Sequence, residues 1–365
     1  MIKAEIVAHS LSPQGDELIS VLATFPRIIL AEVNTHRMLS KNTSSSRAIP
    51  FEKMVEAVQT NPFIPIAWQK HHSGMQGIEY FTDEKDIYRY FYVEQVWRDA
   101  RRRAIDVAKD LHSSKVTKQL CNRLLEPFMW TTMLITGSRE GWDNFFNLRC
   151  PKYEYKLGAE IYNFYSWKDM IKFIKNSTDN QDYINQWKNT TLVEKLKLNK
   201  GQAEIHIMAL AESIWDSINE SIPKQLKAGE WHIPFEDKIQ LDLDATVNNK
   251  ELIGGKEYIE NVVKISTAMA AHTSYTTVGN EPVKSYEKWI ELHDKLIAYN
   301  PPHSSPMEHC ARVMNNYEYN SFIKGQTDYD EELDLNKCYK KSKGWCYNLK
   351  GFISYRHMID NKLSF

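Results

Sequence analysis

The segment from Asn34 to Arg47 constrains this chain more than any other, because it gathers many hydrogen-bonding groups in a short span. An apolar run over residues 22–31 precedes it and predicts a strand. After Leu39 the segment is nearly free of apolar side chains and rich in serine, threonine and asparagine. Arginine side chains, hydroxyls and backbone N–H groups on one loop can form strong hydrogen bonds to phosphate. The segment therefore predicts an anion-binding loop, and a solvated turn is the alternative.

The spacing of residues in this segment resembles the signature of the flavin-dependent thymidylate synthases. The matching positions are His36, Arg37, Ser40, Asn42, Ser45 and Arg47, with seven residues between Arg37 and Ser45. In that family the loop lies between the flavin and the nucleotide. Thr35 stands where the family has arginine. This difference affects the expected flavin contacts more directly than the expected nucleotide contacts.

Two further motifs of the same family follow in the order that the family uses. One is Arg123-x3-Pro127, and the other is Asn144-x2-Asn147-Leu148-Arg149. The residues of the second motif also suit a plain helix with a cation at its C-terminus, which the helix dipole favours. The resemblance implies that Arg149 binds the uracil ring and withdraws electrons from it, and that Arg123 reaches the nucleotide phosphate. It also implies that Asn144 and Leu148 contact flavin.

The remaining motifs stand in an unusual order. Residues 268–275 and 303–309 are similar to the N-terminal part of the family, yet here they follow the other motifs, as in a circularly permuted member. Members carried by bacteriophages have a similar order and end in a segment like residues 351–356. The resemblance implies flavin contacts from His36, Arg37, Asn42, Ser274, His303 and Ser305. If a strand with Arg356 lies beside a strand over residues 34–37, Arg356 supplies the flavin-contacting cation that Thr35 lacks.

Composition narrows the class of protein. The 365 residues carry a formal net charge of -1, which argues against a nucleic-acid or membrane-surface binder. No apolar run approaches the roughly 20 residues that span a bilayer, and the N-terminus is unlike a signal peptide. The five cysteines have no C-x-x-C spacing, and the interval between His303 and His309 is not a usual zinc-ligand spacing. We therefore expect a cytoplasmic protein (host cytoplasm for a phage-encoded one) without a metal, and we interpret Cys150 as structural.

The chain is predicted to form a single domain over residues 1–365. Its fold class is α/β (α+β), with a mixed or antiparallel sheet flanked by helices. The expected parts are two strands within residues 3–33, an ordered coil over 50–77, a helix over 91–112 with a solvated Arg101–Arg103 run, an insertion at 152–200, a core helix after 202 and a linker near 236–256.

The resemblance implies methylation of dUMP to dTMP, with FAD, NADPH and methylenetetrahydrofolate, in a homotetramer whose active sites are shared between subunits. Ser45, Ser46, Arg47 and Arg123 would anchor the phosphate, and Arg149 would act on the ring. Hydroxymethylation or a dCMP substrate is the close alternative, because Glu32 and Thr43 depart from common family residues. A third interpretation is a nucleotide-binding paralogue without redox chemistry, because Thr35 departs from the family and Lys200 replaces an expected histidine.

Overall fold

The computed structural model describes residues 1–73, 79–81, 86–239, 256–273, 286–299, 302–322 and 343–363. Its strands are β1 (Lys3–Leu11), β2 (Glu17–Pro26), β3 (Ser40–Thr43), β4 (Trp68–Gln69), β5 (Tyr80–Phe81), β6 (Trp130–Ser138), β7 (Tyr153–Leu157), β8 (Glu160–Phe164), β9 (Lys224–Gln225), β10 (Trp231–His232), β11 (Ala311–Val313), β12 (Trp345–Cys346), β13 (Leu349–Lys350) and β14 (Phe352–Ser354). The main helices are α1 (Leu30–Asn34), α2 (Phe51–Thr60), α3 (Ile87–Ser113), α4 (Lys118–Cys121), α5 (Arg139–Arg149), α6 (Trp167–Ser177), α7 (Gln181–Lys188), α8 (Leu192–Leu198), α9 (Ile205–Glu220), α10 (Lys256–Thr273), α11 (Tyr286–Ala298), α12 (Asn316–Ser321) and α13 (Tyr355–Asp360). Short 3-10 helices cover Arg27–Ile29, Asn122–Phe128 and Ser305–Glu308.

A five-stranded sheet organises the fold, in the order β3-β6-β2-β1-β9. β1, β2, β6 and β3 pair antiparallel, and β9 adds to β1 in parallel. A three-stranded sheet of β10, β11 and β14 accompanies it. The predicted fold class, a mixed sheet flanked by helices, is therefore confirmed.

The two faces of the central sheet are covered by different helices. Because side chains alternate along a strand, Ile19, Val21 and Phe25 of β2 point to one face, where they pack with residues of α5 and α9 in the main core cluster. On the opposite face, Leu134 of β6 packs against Ala270 of α10. Burial of both faces accounts for the almost continuous apolar sequence of β2.

Two local predictions were wrong. The run over residues 22–31 does not continue as a strand, because β2 ends at Pro26 and the chain turns into a 3-10 helix and then α1. Nor are residues 51–60 a coil. They form α2, whose Phe51, Met54, Val55 and Val58 are buried at helical spacing.

Other elements agree with the sequence. The predicted helix over residues 91–112 is confirmed as the central part of α3. Arg102 and Arg103 are exposed there, as expected, whereas Arg101 donates to the carbonyls of Val58 and Gln59 at the end of α2. The predicted core helix is α9, with Met208, Ala211 and Ile218 buried.

The segment predicted as an insertion is regularly folded. It contains the β7–β8 hairpin and helices α6 to α8, and it has a small core of its own that includes Tyr155, Trp167 and Ile174. Residues 240–255 of the predicted linker lie outside the described residues. In the described part of the chain, none of the helices combines the length and apolar character needed to cross a membrane.

Candidate functional site

The hydroxyl-rich loop between β3 and α2, residues 44–50, is fixed by backbone hydrogen bonds. The N–H of Ser44 donates to the carbonyl of Thr132 on β6 at 2.9 Å. The side-chain amide of Asn122 donates to the carbonyl of Ser46 at 2.7 Å. Ser44, Ser46 and Asn122 are all buried. Because these bonds are shielded from water, the loop is held in one conformation against the sheet.

A pocket of about 410 Å³ lies beside this loop. Its lining is mostly polar and comprises Arg27, Leu30, Asn34, Thr43, Ser44, Ser45, Ser46, Arg47, Arg123 and Glu126. The four residues predicted to anchor a phosphate, Ser45, Ser46, Arg47 and Arg123, thus share one cavity. Arg47 and Arg123 are exposed and Ser45 is half-buried, so an anion from solvent can reach these groups.

Arg27 and Glu126 also line the pocket, although no sequence motif singled them out as site residues. The Arg27 guanidinium donates to the carbonyl of Ser44 at 2.9 Å and reaches Glu126 Oε1 at 3.4 Å. The hydroxyl of Ser46 donates to the same carboxylate oxygen. Burial lowers the pKa of Arg27, and the negative charge of Glu126 opposes that shift. One sequence feature could have identified Glu126 as a site residue, namely its position inside the Arg123-x3-Pro127 motif.

Arg149, at the end of α5, reaches the turn that follows α1. Its Nε donates to His36 Nε2 at 3.0 Å, and its Nη2 donates to Thr35 Oγ1 at 3.3 Å. Thr35 Oγ1 in turn donates to the carbonyl of Glu32 at 2.6 Å. A threonine hydroxyl can accept from Arg149, whereas an arginine at this position has no acceptor to offer. The departure at Thr35 therefore creates a contact that orients Arg149.

The pocket and the Arg149 guanidinium contact consecutive residues of one short segment. Asn34 lines the pocket, and the next residue, Thr35, contacts Arg149. Consecutive Cα atoms lie about 3.8 Å apart. The residue that lines the pocket and the residue that contacts Arg149 are therefore neighbours along the chain.

His36 is held neutral beside Arg149. Burial, followed by the charges of Arg149 and Lys41, lowers the pKa of His36 to about 4. The ring also packs edge-on against Phe145, with centroids 4.8 Å apart. A neutral imidazole accepts from Arg149 without cancelling its charge, so Arg149 keeps a full positive charge for an electron-rich ligand.

Lys41 fixes the same turn, and the sequence analysis did not identify it. Its Nζ donates to the carbonyls of Val33, Asn34 and His36 at 3.4, 3.3 and 2.6 Å. Burial lowers the pKa of Lys41 to about 8, and the carboxylate of Glu308 opposes that shift. These bonds satisfy carbonyls at the C-terminus of α1 and hold in place the turn that carries Thr35 and His36.

Asn42 and Ser305, both predicted to contact flavin, contact each other. Ser305 Oγ donates to Asn42 Oδ1 at 3.0 Å, and Asn42 Nδ2 donates to the carbonyl of Ala270 at 2.5 Å. The amide therefore joins β3, α10 and the 3-10 turn over 305–308. These three segments, which are far apart in the sequence, therefore meet at Asn42, and a role in flavin binding stays a prediction.

The other residues predicted to contact flavin lie at several places. Asn144 and Leu148 are exposed one turn apart on α5, and Arg37, which follows the buried His36, is also exposed. The backbone N–H of His303 donates to the carbonyl of Leu296 at 3.0 Å. Ser274 lies outside the described residues. Among the residues that the structure describes, no three histidines, cysteines or acidic residues gather as a metal site.

The strand pairing expected for Arg356 was wrong. Residues 34–37 form the end of α1 and a turn, and Arg356 lies on α13 rather than on a strand. β14, just before it, pairs with β11. Arg356 forms ion pairs with Glu308 and, at 3.5 Å, with Asp360. The Arg356 guanidinium therefore has local carboxylate partners, because α13 packs on the 305–308 turn.

Cys150 does not have the environment of a nucleophile. The residue is buried, and burial together with the nearby carboxylates of Glu212 and Asp216 raises the pKa of its thiol strongly. A thiol attacks as the thiolate, so these surroundings suppress its reactivity despite the neighbouring Arg149. They agree with the structural interpretation of Cys150.

Comparisons with models of known protein families give no match, and comparisons with curated proteins also give none. Among solved structures, the UMP/dUMP methylase PolB from Streptomyces cacaoi bound with 5-Br UMP is 18% identical, over 41% of this chain and 77% of that chain, with a TM-score of 0.30. The same enzyme bound with 5-Br dUMP is 15% identical, over 56% and 67%, with a TM-score of 0.28. Scores of this size do not establish a common fold, so the function proposed below rests on this chain's own residues.

Proposed function

We propose that this protein methylates C5 of a pyrimidine deoxynucleotide monophosphate, converting dUMP to dTMP with methylenetetrahydrofolate as the carbon donor. One observation carries the proposal. Ser45, Ser46, Arg47 and Arg123 share a pocket with Asn34, and Arg149 is held in place by the next two residues, Thr35 and His36. A nucleotide monophosphate offers an anion for the pocket and a polar ring for Arg149.

The phosphate would bind in the pocket through charge-assisted hydrogen bonds. Arg47 and Arg123 supply guanidinium donors, and Ser45 supplies a hydroxyl. Because Asn122 fixes the carbonyl of Ser46, the loop needs little reordering when the anion arrives. The binding energy of the phosphate then serves to position C5 for reaction.

Arg149 would act on the pyrimidine ring. For C5 to attack the folate carbon, electron density must first build up on the ring as an enolate, and a fixed guanidinium beside the ring carbonyl groups would stabilise that negative charge. The neutral His36 and the Thr35 hydroxyl leave Arg149 fully charged and already oriented. The proposal uses no cysteine nucleophile, in keeping with the raised pKa of the Cys150 thiol.

FAD, reduced by NADPH, would supply the hydride that completes the methyl group. Leu148 is 58% exposed, and Asn144 is exposed one turn before it on the same face of α5. An exposed leucine beside an amide is a surface that a flat, partly polar ring system can cover. These residues, with His36 and Arg37, are the ones that would hold the flavin in this proposal.

The proposal includes a homotetramer with shared active sites. The N-terminal half of α3 supports association, because it exposes several large apolar side chains. The exposed fractions are 91% for Tyr88, 60% for Phe91, 67% for Tyr92 and 48% for Val96. Aromatic side chains are enriched where subunits meet. Light scattering of the purified protein should give about four times the chain mass of 42.7 kDa. A monomer at every concentration tested would contradict this part of the proposal.

The catalytic proposal is tested by the visible spectrum and the product. We expect the purified protein to co-elute with a flavin whose absorption bands bleach when NADPH is added. Incubation with methylenetetrahydrofolate and dUMP should then yield dTMP by mass spectrometry. Parallel reactions with dCMP distinguish the substrate, and a product heavier by one oxygen would identify hydroxymethylation.

A different outcome would redirect the assignment. Protein that binds dUMP but retains no flavin, even with FAD and nucleotide added, would lack the proposed redox chemistry. It would then be a nucleotide-binding paralogue. Protein that binds neither flavin nor dUMP would contradict the proposal as a whole.

A further inference from the structure

The pocket contains a carboxylate among its cations, which is unusual for an anion site. Its lining includes the guanidinium groups of Arg27, Arg47 and Arg123, and also the side chain of Glu126. The Ser46 hydroxyl donates to Glu126 Oε1, and Arg27 Nη2 approaches the same oxygen to 3.4 Å. An anion that enters must therefore bind beside a fixed negative charge.

Glu126 is not free to swing away when an anion binds. It lies on the 3-10 helix over Asn122–Phe128, directly before Pro127, where the backbone is rigid. If its carboxylate moved, it would break its bonds to the buried hydroxyl of Ser46 and to the Arg27 guanidinium, whose side chain is only 14% exposed. Leaving such groups unpaired is costly. The carboxylate therefore stays in the lining of the occupied pocket.

The charges of the lining then set the charge of the preferred ligand. Three guanidinium groups and one carboxylate leave a formal net charge of two positive units. A phosphate monoester carries about two negative charges once the pH exceeds its second pKa of about 6. A diphosphate carries more, and its additional charge would meet Glu126 with no further cation in the lining to offset it.

We propose that Glu126 is a specificity-determining residue that limits this pocket to a single phosphoryl group, so that the site selects nucleoside monophosphates over diphosphates. This inference rests on the proposed function, because it takes the pocket as the phosphate site. It adds the reason why a carboxylate belongs there. Glu126 contributes selectivity at the expense of affinity, through repulsion of the more highly charged competitor.

The test compares Glu126→Gln with the unaltered protein. The amide keeps the shape of the side chain and can still accept from Ser46 and Arg27, while the charge is lost. Dissociation constants for dUMP and dUDP, and for inorganic phosphate and pyrophosphate, would be measured by calorimetry at about pH 8, where the monoester is a dianion. Glu52→Gln, at an exposed position on α2, changes the charge of the chain equally and serves as the control.

In the unaltered protein we expect dUMP to bind more tightly than dUDP, and phosphate more tightly than pyrophosphate. Glu126→Gln should reduce both preferences by about five- to tenfold, and Glu52→Gln should leave them unchanged. Unchanged preferences in Glu126→Gln would overturn the inference. If dUMP fails to bind but the phosphate and pyrophosphate pair behaves as expected, the proposed function fails and the role of Glu126 stands. If none of the four ligands binds, both fail.

Discussion

Replacement of Arg149 by alanine is expected to lower kcat/KM for dUMP methylation by about 100- to 1000-fold, the usual effect of removing a preorganised donor. Arg149 is held by His36 Nε2 at 3.0 Å and Thr35 Oγ1 at 3.3 Å, so its guanidinium is oriented before any substrate binds. The loss should fall mainly on kcat, because the phosphate pocket remains intact in this variant. Steady-state kinetics together with the dissociation constant for dUMP separate the two effects.

Two variants sharpen this test. Arg149→Lys keeps the charge but cannot donate to both His36 and Thr35 in the same geometry, so we expect it to restore only a small part of the activity. Arg103→Ala removes an exposed arginine from α3 and should leave the kinetics unchanged. If Arg149→Ala retained kcat within a factor of about ten, Arg149 would have no role in stabilising charge on the ring.

The pocket beside residues 44–50 illustrates how much of a site sequence patterns can predict. Ser45, Ser46 and Arg47 are neighbours along the chain, so their common location needs no knowledge of the fold. Arg123 joins them in the pocket, and a motif at a fixed spacing was enough to single it out. Glu126 and Arg27 were not predicted, because the role of each residue depends on its contact with the other. A carboxylate in the pocket is informative only when the buried guanidinium that it pairs with is known to be there.

The errors in secondary structure have similar physical causes. Short apolar runs are compatible with strand and helix alike, and the run after Pro26 becomes helical because its Ile29 and Val33 pack into the core one turn apart. For α2 the helical pattern was present in Phe51, Met54, Val55 and Val58, but the neighbouring proline- and tryptophan-rich residues obscured it. The position of Arg356 depended on a pairing between distant strands, which no local pattern specifies.

Lys41 is a further residue whose role sequence patterns could not predict. In the sequence it lies between the matching positions Ser40 and Asn42, with nothing to distinguish it from a solvated lysine. In the fold its Nζ bonds to three carbonyls of the turn before it. The geometry of the Thr35–His36 turn, and therefore the orientation of Arg149, depends on this contact between β3 and α1.

The second large effect is expected on stability in acid and involves a buried chain of hydrogen bonds through the centre of the fold. His232 Nδ1 lies 2.8 Å from Ser10 Oγ, and His232 Nε2 lies 2.8 Å from Ser20 Oγ. Ser20 Oγ is 2.6 Å from Thr136 Oγ1, which is 2.8 Å from His309 Nδ1. This chain joins β1, β2, β6 and β10 to the segment after α11. Both histidines are fully buried.

Burial lowers the pKa of His232 and of His309 to about 3. Between about pH 6.5 and pH 3 the unfolded chain therefore binds protons that the folded protein does not, and the free energy of unfolding falls as the pH falls. Each histidine contributes a slope of about 1.4 kcal/mol per pH unit within that window. Denaturant titrations at several pH values between about 4 and 6 should show this loss, with a further contribution from His36, whose pKa is lowered to about 4.

The slope, rather than the stability at one pH, identifies the source. His232→Gln keeps a polar side chain in the network but cannot take up the proton, so the pH dependence of the unfolding free energy should weaken by about 1.4 kcal/mol per pH unit. The stability of this variant at neutral pH will also fall, because glutamine cannot reproduce both bonds to Ser10 and Ser20 in the imidazole geometry. His71→Gln, at an exposed position, is the matched control. An equal change of slope in both variants would show that the buried chain is not the origin of the acid sensitivity.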